Sequence, residues 1–241
     1  MKKTLTIAGA ILALSATLAA ADGINLSWSD CGTFGAAMNS FTCNSNSGTP
    51  FSMVASFTSP APMPEFLGLS AQIDLTTNTP ALPDWWKHGT GLCRGSAAMS
   101  VNFDFTANVN CTDVFVGQAV GGYLYEGGFS VPNRARLLVQ CAIPLGTQGP
   151  IDDVSEYYGF RANITRTKST GTGSCPGCPD PVCVVLNEIQ LIQPDQFNFN
   201  PKVTTAISRN FVTWQTATVP GCPLSTPTRN SSWGQVKSLY R

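Results

Sequence analysis

Nine cysteines follow an N-terminal stretch laid out like a secretory leader, and this combination constrains the chain more than any other feature. Lys2 and Lys3 form a basic start, residues 7–18 are largely apolar, and residues 19–21 are the alanines of a cleavage site. This order predicts a signal peptide over residues 1–21 and a mature chain over residues 22–241. Exported proteins meet an oxidising compartment, so their cysteines are interpreted first as disulfides. We therefore expect a secreted protein, whether extracellular, periplasmic or at the cell surface.

The spacing of the cysteines suggests two local disulfides. We expect Cys31 to pair with Cys43 across a loop rich in Gly, Ser and Asn. We expect Cys93 to pair with Cys111 across a hairpin or between neighbouring loops. Four further disulfide candidates form a C-terminal set whose internal pairing the spacing leaves open: Cys175, Cys178, Cys183 and Cys222. Each disulfide should contribute roughly 2–4 kcal/mol, mainly by restricting the unfolded chain.

The remaining cysteine, Cys141, lies in a segment of alternating character. Residues 135–143 place Cys141 on the same side as Leu137 and Val139, while Arg136 and Gln140 face the other way. Successive residues of a strand point to opposite faces of the sheet. The pattern predicts that Cys141 is a buried free thiol. The alternative for an odd cysteine is a bridge to a second chain.

A period of two runs through the body of the chain and predicts strands rather than helices. Apolar and polar residues alternate in several segments: 51–57, 69–76, 101–105, 135–143 and 158–165. Residues 182–192 begin as a continuous apolar run and then alternate, as in a central strand that emerges towards a sheet edge, and residues 210–218 form another strand. With 22 Gly and 17 Pro as breakers, we expect eight or nine strands. The predicted fold class is all-β, an antiparallel two-sheet β-sandwich of jelly-roll or immunoglobulin-like type, in a single disulfide-bonded domain over residues 22–241.

The C-terminus departs from the strand pattern. Asn230 precedes two serines that could cap a helix, and Trp233, Val236 and Tyr240 follow at helical spacing. We predict a short C-terminal helix that lays Trp233 on the sandwich. The alternative function for this segment is a sorting or docking signal.

Charge and hydropathy exclude several partners. The chain carries 14 basic and 14 acidic residues, and loss of Lys2 and Lys3 with the leader leaves a slightly negative mature chain. Such a chain lacks the basic surface that nucleic acids or anionic lipids require, so we expect no nucleic-acid partner. No later segment reaches the about 18 apolar residues of a membrane span, so none is expected in the mature chain.

The chain has one histidine, His88. An active site would pair it with Asp84 and a serine such as Ser96, but no G-x-S-x-G motif presents that serine. We therefore predict a surface-loop histidine. A single histidine also excludes multi-histidine metal centres.

Trp85 and Trp86 are the candidate ligand-binding residues. Adjacent aromatic residues on a loop can stack on sugar rings or on a peptide, although burial of a Trp is also favourable. In an extended segment neighbouring side chains point opposite ways, so one ring should be in the core and the other partly exposed.

Two further patterns could hold a metal. Cys175, Cys178 and Cys183 have the spacing of a zinc knuckle with Cys222 as fourth ligand, but after a leader disulfides are favoured. The acidic residues of the 152–156 segment could ligate calcium, but the calcium-loop pattern is missing and a solvated turn is expected. We predict no metal and no cofactor.

Six segments of the chain, taken together, resemble those of a known group of proteins. They are 26–32 (LSWxDCG), 82–86 (LPDWW), 133–136 (NRAR), 156–160 (EYYxF), 210–215 (NFVTWQ) and 230–241 (NxxWGxxKxLYR). On these segments the chain resembles an uncharacterised family of secreted proteins from environmental bacterial genomes, over nearly the whole mature chain. The resemblance implies a secreted bacterial protein and implies no activity, ligand or catalytic residue.

The functional expectation is a secreted, disulfide-stabilised extracellular interaction or structural module without an identifiable catalytic site. Three alternatives stay open: a carbohydrate-binding module that uses Trp85 and Trp86, a subunit of a cell-surface assembly, and a secreted hydrolase. A glycosidase would need two carboxylates that face each other across a cleft, and no sequence pattern brings such a pair together. The partner classes left open are an extracellular polymer and a cell-surface protein.

Overall fold

The computed structural model describes residues 22–216 and Cys222, and these residues form an all-β sandwich, as the sequence predicted. The strands are β1 (Gly23–Trp28), β2 (Met38–Asn39), β3 (Phe51–Thr58), β4 (Met63–Phe66), β5 (Gly68–Thr77), β6 (Met99–Asn102), β7 (Val120–Gly127), β8 (Arg134–Ala142), β9 (Gly149–Ile151), β10 (Tyr157–Ile164), β11 (Val182–Ile192), β12 (Lys202–Val203) and β13 (Phe211–Trp214). Three short turns of 3₁₀-helix are the helical elements of these residues: Asp84–Trp86, Ser96–Ala98 and Asp195–Phe197.

Two sheets form the layers of the sandwich. The smaller sheet has four strands in the order β1-β3-β10-β6. The larger has seven, in the order β2-β13-β11-β5-β8-β7 with β12 beside β11, and β4 and β9 form a separate two-stranded ribbon. Every strand pair is antiparallel except β13 with β2. The pairing of β5 with β8 brings Ile73 opposite Leu137 and Leu69 opposite Cys141, so the apolar faces of these strands coincide.

Alternation along each strand explains which face is buried. In β5 the residues Leu69, Ala71, Ile73 and Leu75 are buried, whereas the polar residues that alternate with them are only partly covered. Burying a Leu or Ile side chain stabilises a fold by roughly 1.5–3 kcal/mol. The inner faces of both sheets merge into one apolar cluster, which is the core of the sandwich.

The outer face of the smaller sheet is also covered in part. Cys31, Val54, Phe105 and Tyr158 form a second apolar cluster there, and the Phe105 and Tyr158 rings stack with centroids 4.3 Å apart. The predicted strand 101–105 ends at Asn102, and Phe105 then lies in this outer cluster. β1 shows no alternation because its polar side chains are buried as well: Asn25 donates to Glu156 and accepts from Ser208, and Ser27 donates to the carbonyl of Gly32.

The disulfides connect positions far apart in sequence. They are Cys31–Cys111, Cys43–Cys178, Cys93–Cys175 and Cys183–Cys222, with separations of 80, 135, 82 and 39 residues. The predicted local pairs Cys31–Cys43 and Cys93–Cys111 are therefore wrong. In a sandwich, loops distant in sequence meet at the same end of the sheets, and this juxtaposition rather than sequence spacing selects the partners. Loops of this length give each disulfide about 4–5 kcal/mol by the chain-entropy account.

The four C-terminal cysteines do not pair only among themselves. Cys175 and Cys178 pair with earlier loops, and only Cys183–Cys222 lies within the set. All four thiolates of the suggested zinc knuckle are thus used in disulfides. Four disulfides fit an oxidising extracellular or periplasmic environment, and together with the all-β fold they fit a disulfide-stabilised extracellular module.

Two segments of the sequence analysis, the signal peptide over residues 1–21 and the C-terminal helix around Trp233, lie outside the described residues. Among the described residues no helix is long and apolar enough to cross a membrane.

Cys141 is free and buried, with 5% of its surface exposed. It lies on β8 opposite Leu69, on the face that packs into the core. Burial raises the pKa of the Cys141 thiol to about 12, so the reactive thiolate is scarcely populated at neutral pH. Because of its burial and raised pKa, the Cys141 thiol is not available for a disulfide bond with a second chain.

We expect Cys141 to resist a thiol reagent in the folded protein and to react once the chain is unfolded without reductant. Ellman's reagent should titrate one thiol per mature chain under denaturing conditions and none under native conditions. A Cys141→Ala variant should show no thiol in either state. Rapid reaction of the native protein would contradict the burial of this side chain.

Candidate functional site

Trp85 and Trp86 lie on the 3₁₀ turn Asp84–Trp86, and both are 0% exposed. The predicted ligand platform is therefore wrong, because neither ring can stack on a sugar or a peptide. The expectation that one ring would be exposed assumed an extended segment. A 3₁₀ turn has about three residues per turn, so its neighbouring side chains do not point to opposite faces, and here both enter the core.

The two rings pack against Trp214 of β13. The centroid of Trp214 lies 5.0 Å from that of Trp85 and 5.2 Å from that of Trp86. Three further rings complete what we call the Trp214 cluster: Trp28, Phe41 and Phe51, at 5.9, 4.4 and 4.9 Å from Trp214. The Trp214 Nε1 donates a hydrogen bond of 2.7 Å to the carbonyl of Cys178, next to the Cys43–Cys178 disulfide.

Two arginines stack on this cluster at different places. The guanidinium of Arg166 lies 4.2 Å from the ring centre of Phe51, and that of Arg94 lies 4.0 Å from the ring centre of Trp85. A guanidinium over an aromatic face gains roughly 0.5–2 kcal/mol. Each arginine stands beside a separate cavity, and we consider these two cavities as candidate ligand sites.

The larger cavity, which we call the arginine groove, has a volume of about 580 Å³. It lies over β3, β6 and β10 of the smaller sheet. The residues that shape its chemistry are Arg161, Arg166, Asn102, Asn163, Ser52 and Phe41. Strand register brings several of them together, since Arg161 lies opposite Asn102 and Asn163 lies opposite Ser52.

The polar side chains of the groove are held in place by neighbouring groups. Ser52 donates a hydrogen bond of 2.5 Å to the Asn163 side-chain oxygen. Arg161 donates to the side chain of Asn108 at 2.9 Å and lies 5.0 Å from the ring centre of Phe105. Arg166 donates to the carbonyl of Thr49 at 3.0 Å. The groove therefore presents two guanidinium groups whose positions are largely fixed before any ligand binds.

The electrostatic character of the groove is positive. No Asp or Glu lines it. Asp104, an exposed residue, interacts electrostatically with Arg161, and its pKa is lowered chiefly by hydrogen bonds from Thr106 and to a smaller extent by the charge of Arg161. The sequence pattern did not reveal this site. Arg161 occupies an ordinary polar position of an alternating strand, and Arg166 lies two residues beyond the end of that strand, so nothing in the sequence indicates that the two side chains meet.

His88 is buried, with 4% of its surface exposed, so the prediction of a surface histidine is wrong. Its ring makes an edge contact with Tyr125 at 5.0 Å, and neither ring nitrogen has a hydrogen-bond partner. Burial, and to a smaller extent the charge of Arg94, lower the pKa of His88 to about 3. The imidazole is therefore neutral throughout the physiological range.

The active-site set considered from the sequence does not assemble. Asp84 binds Lys87 at 2.7 Å instead of His88. Ser96 and His88 line the same smaller cavity, and no hydrogen bond between their side chains is present in the described structure. Without a carboxylate to orient it, a histidine is a weak general base for a serine.

The acidic segment 152–156 divides into two environments. Asp152 is exposed and accepts hydrogen bonds from the main-chain N–H groups of Val154 and Ser155, so it forms a local turn. Glu156 points the other way and accepts hydrogen bonds from Asn25 at 2.8 Å and Ser56 at 2.6 Å. Among residues 22–216 no three His, Cys, Asp or Glu side chains gather as a metal site would require.

Comparisons of the chain with protein-family models, with curated proteins and with solved structures find no match. Functional inference for this protein therefore depends on the geometry of the arginine groove and of the cavity beside His88.

We expect the burial of His88 to make stability depend on pH. Below pH 6.5 the unfolded chain takes up a proton at His88, whereas the folded chain remains neutral there until about pH 3. The unfolded state then binds more protons, so stability falls as pH falls through this range. The unfolding free energy should drop by about 2 kcal/mol between pH 7 and pH 5 because of this residue.

Denaturant unfolding of wild type and His88→Gln at several pH values measures this effect. The groups that face the ring, Arg94 and Tyr125, keep their charge states in this range because burial raises the pKa of Tyr125 and lowers that of Arg94 only to about 10. The variant should show a flatter pH profile than wild type. Parallel profiles would contradict a neutral, buried His88.

Proposed function

We propose that the protein is a secreted bacterial interaction module that binds an anionic extracellular polysaccharide in the arginine groove. The observation that carries the proposal is the positive character of this cavity, which combines Arg161 and Arg166 with amide and hydroxyl groups and is lined by no carboxylate. Guanidinium groups bind carboxylates with strong, often paired, hydrogen bonds. The amides of Asn102 and Asn163 and the hydroxyl of Ser52 suit the hydroxyl groups of a sugar chain.

Preorganisation supports binding through these two arginines. An arginine has five N–H donors, and the hydrogen bonds described for Arg161 use only one of its nitrogens. The stacking of Arg161 on Phe105 and of Arg166 on Phe51 restricts both side chains before binding. A ligand then meets donors whose conformational entropy has already been reduced, which improves affinity.

The other functions considered from the sequence have less support. A carbohydrate platform at Trp85 and Trp86 is excluded by their burial. A glycoside hydrolase needs paired carboxylates across a cleft. The arginine groove, the cavity beside His88 and a third cavity over β7 and β8 are each lined by no Asp or Glu. A surface assembly joined through the odd cysteine would need an accessible thiol, and Cys141 is buried. We also propose that the chain belongs to the family of secreted bacterial proteins that it resembles.

The proposal predicts that the protein binds polygalacturonate, a polymer of uronic acids, and does not bind the neutral polymer dextran. Arg161→Gln and Arg166→Gln should each weaken binding about tenfold, because a charge-assisted hydrogen bond contributes about 1.5 kcal/mol or more. Binding should also weaken with added salt, since screening acts on exposed charges. Affinity electrophoresis in gels that contain each polymer measures all three effects.

The matched control is Lys202→Gln, which removes one positive charge from β12 of the other sheet. This lysine is exposed and pairs with Glu188 of the same sheet, so its loss should leave polymer binding unchanged. Thermal unfolding of each variant separates loss of binding from loss of fold, because Arg166 also stacks on Phe51. Equal binding of both polymers, or equal effects of all three substitutions, would refute the proposal.

A further inference from the structure

A second cavity, which we call the His88 pocket, lies near the other end of the Trp214 cluster. Its volume is about 360 Å³, and it is lined by His88, Thr90, Ser96, Tyr123, Leu124 and Tyr125 together with Gly89. This volume is near the lower end of the range of small-molecule sites, about 300–1,000 Å³. His88 is buried in the pocket, whereas Thr90 and Ser96 are exposed and belong to its rim.

The imidazole of His88 has an unused hydrogen-bonding capacity. Both ring nitrogens are buried and lack a partner. A buried polar group without a partner costs about 1–3 kcal/mol, so such groups are uncommon in native structures and call for an explanation. The neutral imidazole offers one N–H donor and one acceptor nitrogen to a molecule in the pocket.

Arg94 places a positive charge beside the pocket. It is 1% exposed, donates to the carbonyls of Trp85 and Thr165, and its Nε has no partner. None of the ion pairs formed by residues 22–216 includes Arg94. A buried cation without a counter-ion is costly. A negative charge close to His88 would offset part of that cost, because the charge of Arg94 reaches the His88 ring.

The remaining polar groups of the pocket divide into donors and acceptors. The hydroxyl of Tyr125 donates to the carbonyl of Trp86, and the single proton of the Tyr123 hydroxyl is shared between the carbonyls of Met99 and Ser96. While these hydrogen bonds to main-chain carbonyls are kept, the two phenol oxygens can only accept hydrogen bonds from a ligand. Among residues 22–216 the hydroxyls of Thr90 and Ser96 and the N–H of His88 have no hydrogen-bond acceptor, so they can donate towards the pocket.

We propose that the His88 pocket binds a small organic carboxylate, with the imidazole N–H of His88 and the hydroxyls of Thr90 and Ser96 as donors. The charge balance favours an anion, because the pocket has a buried cation beside it and no acidic residue in its lining. The aromatic faces of Tyr123 and Tyr125 and the side chain of Leu124 suit the apolar part of such a molecule. This binding is independent of the arginine groove.

The single histidine of the chain makes the test direct. Protein labelled with ¹⁵N only at histidine gives the imidazole signals of His88 alone. We expect sodium acetate, at constant ionic strength maintained with chloride, to shift these signals in a saturable manner, with a dissociation constant in the millimolar range typical of so small a ligand. Acetamide, which has the same shape without the charge, should cause no saturable shift.

A Thr90→Val/Ser96→Ala double variant keeps His88 as the reporter and changes only exposed rim residues. It should weaken acetate binding at least tenfold, whereas the distant Lys202→Gln should leave binding unchanged. An absence of saturation with acetate, equal responses to acetate and acetamide, or an unaltered affinity in the double variant would each overturn the proposal. Because polygalacturonate binding is measured at other residues, failure of one proposal does not decide the other.

Discussion

Both candidate sites depend on the packing of the Trp214 ring. Trp214 contacts rings contributed by β1, by β3, by the 38–43 segment and by the 3₁₀ turn that carries Trp85 and Trp86, so it joins elements far apart in sequence. A buried Trp removes about 150–250 Å² from water, which corresponds to about 4–6 kcal/mol at 25 cal/mol per Å². Its hydrogen bond to the Cys178 carbonyl fixes it beside the Cys43–Cys178 disulfide. Aromatic packing and covalent cross-linking therefore restrain the same end of the sandwich.

This arrangement explains why the candidate ligand-binding groups are arginines rather than tryptophans. The aromatic side chains are used to fill the core, and their outward faces support guanidinium groups: Phe51 supports Arg166 at the groove, and Trp85 supports Arg94 beside the His88 pocket. A guanidinium held on a rigid ring loses little entropy when it binds an anion. The molecule thus places fixed positive charge next to two cavities, even though the chain as a whole carries equal numbers of basic and acidic residues.

Local sequence patterns predicted the strands well and the site poorly. The period of two located β5, β8, β10 and β11, because a half-buried strand shows its exposed and buried faces directly in the sequence. It missed β1, which is covered on both faces, and β7, whose glycines and exposed residues lack an apolar face. The disulfide partners, the burial of Trp85 with Trp86 and the position of His88 depend on which loops meet at each end of the sheets. That is a property of the topology, which neither spacing nor composition encodes locally.

The central claim is that one buried cluster organises both sites, and a Trp214→Phe substitution tests it. The smaller ring lacks the N–H that binds the Cys178 carbonyl and leaves a gap between Phe51 and Trp86, while the four disulfides keep the fold closed. NMR spectra of the folded variant should show shifts of both the Arg166 Nε–H signal and the His88 imidazole signals relative to wild type. If only one of the two sites responds, or neither, the sites are supported independently and the claim is wrong.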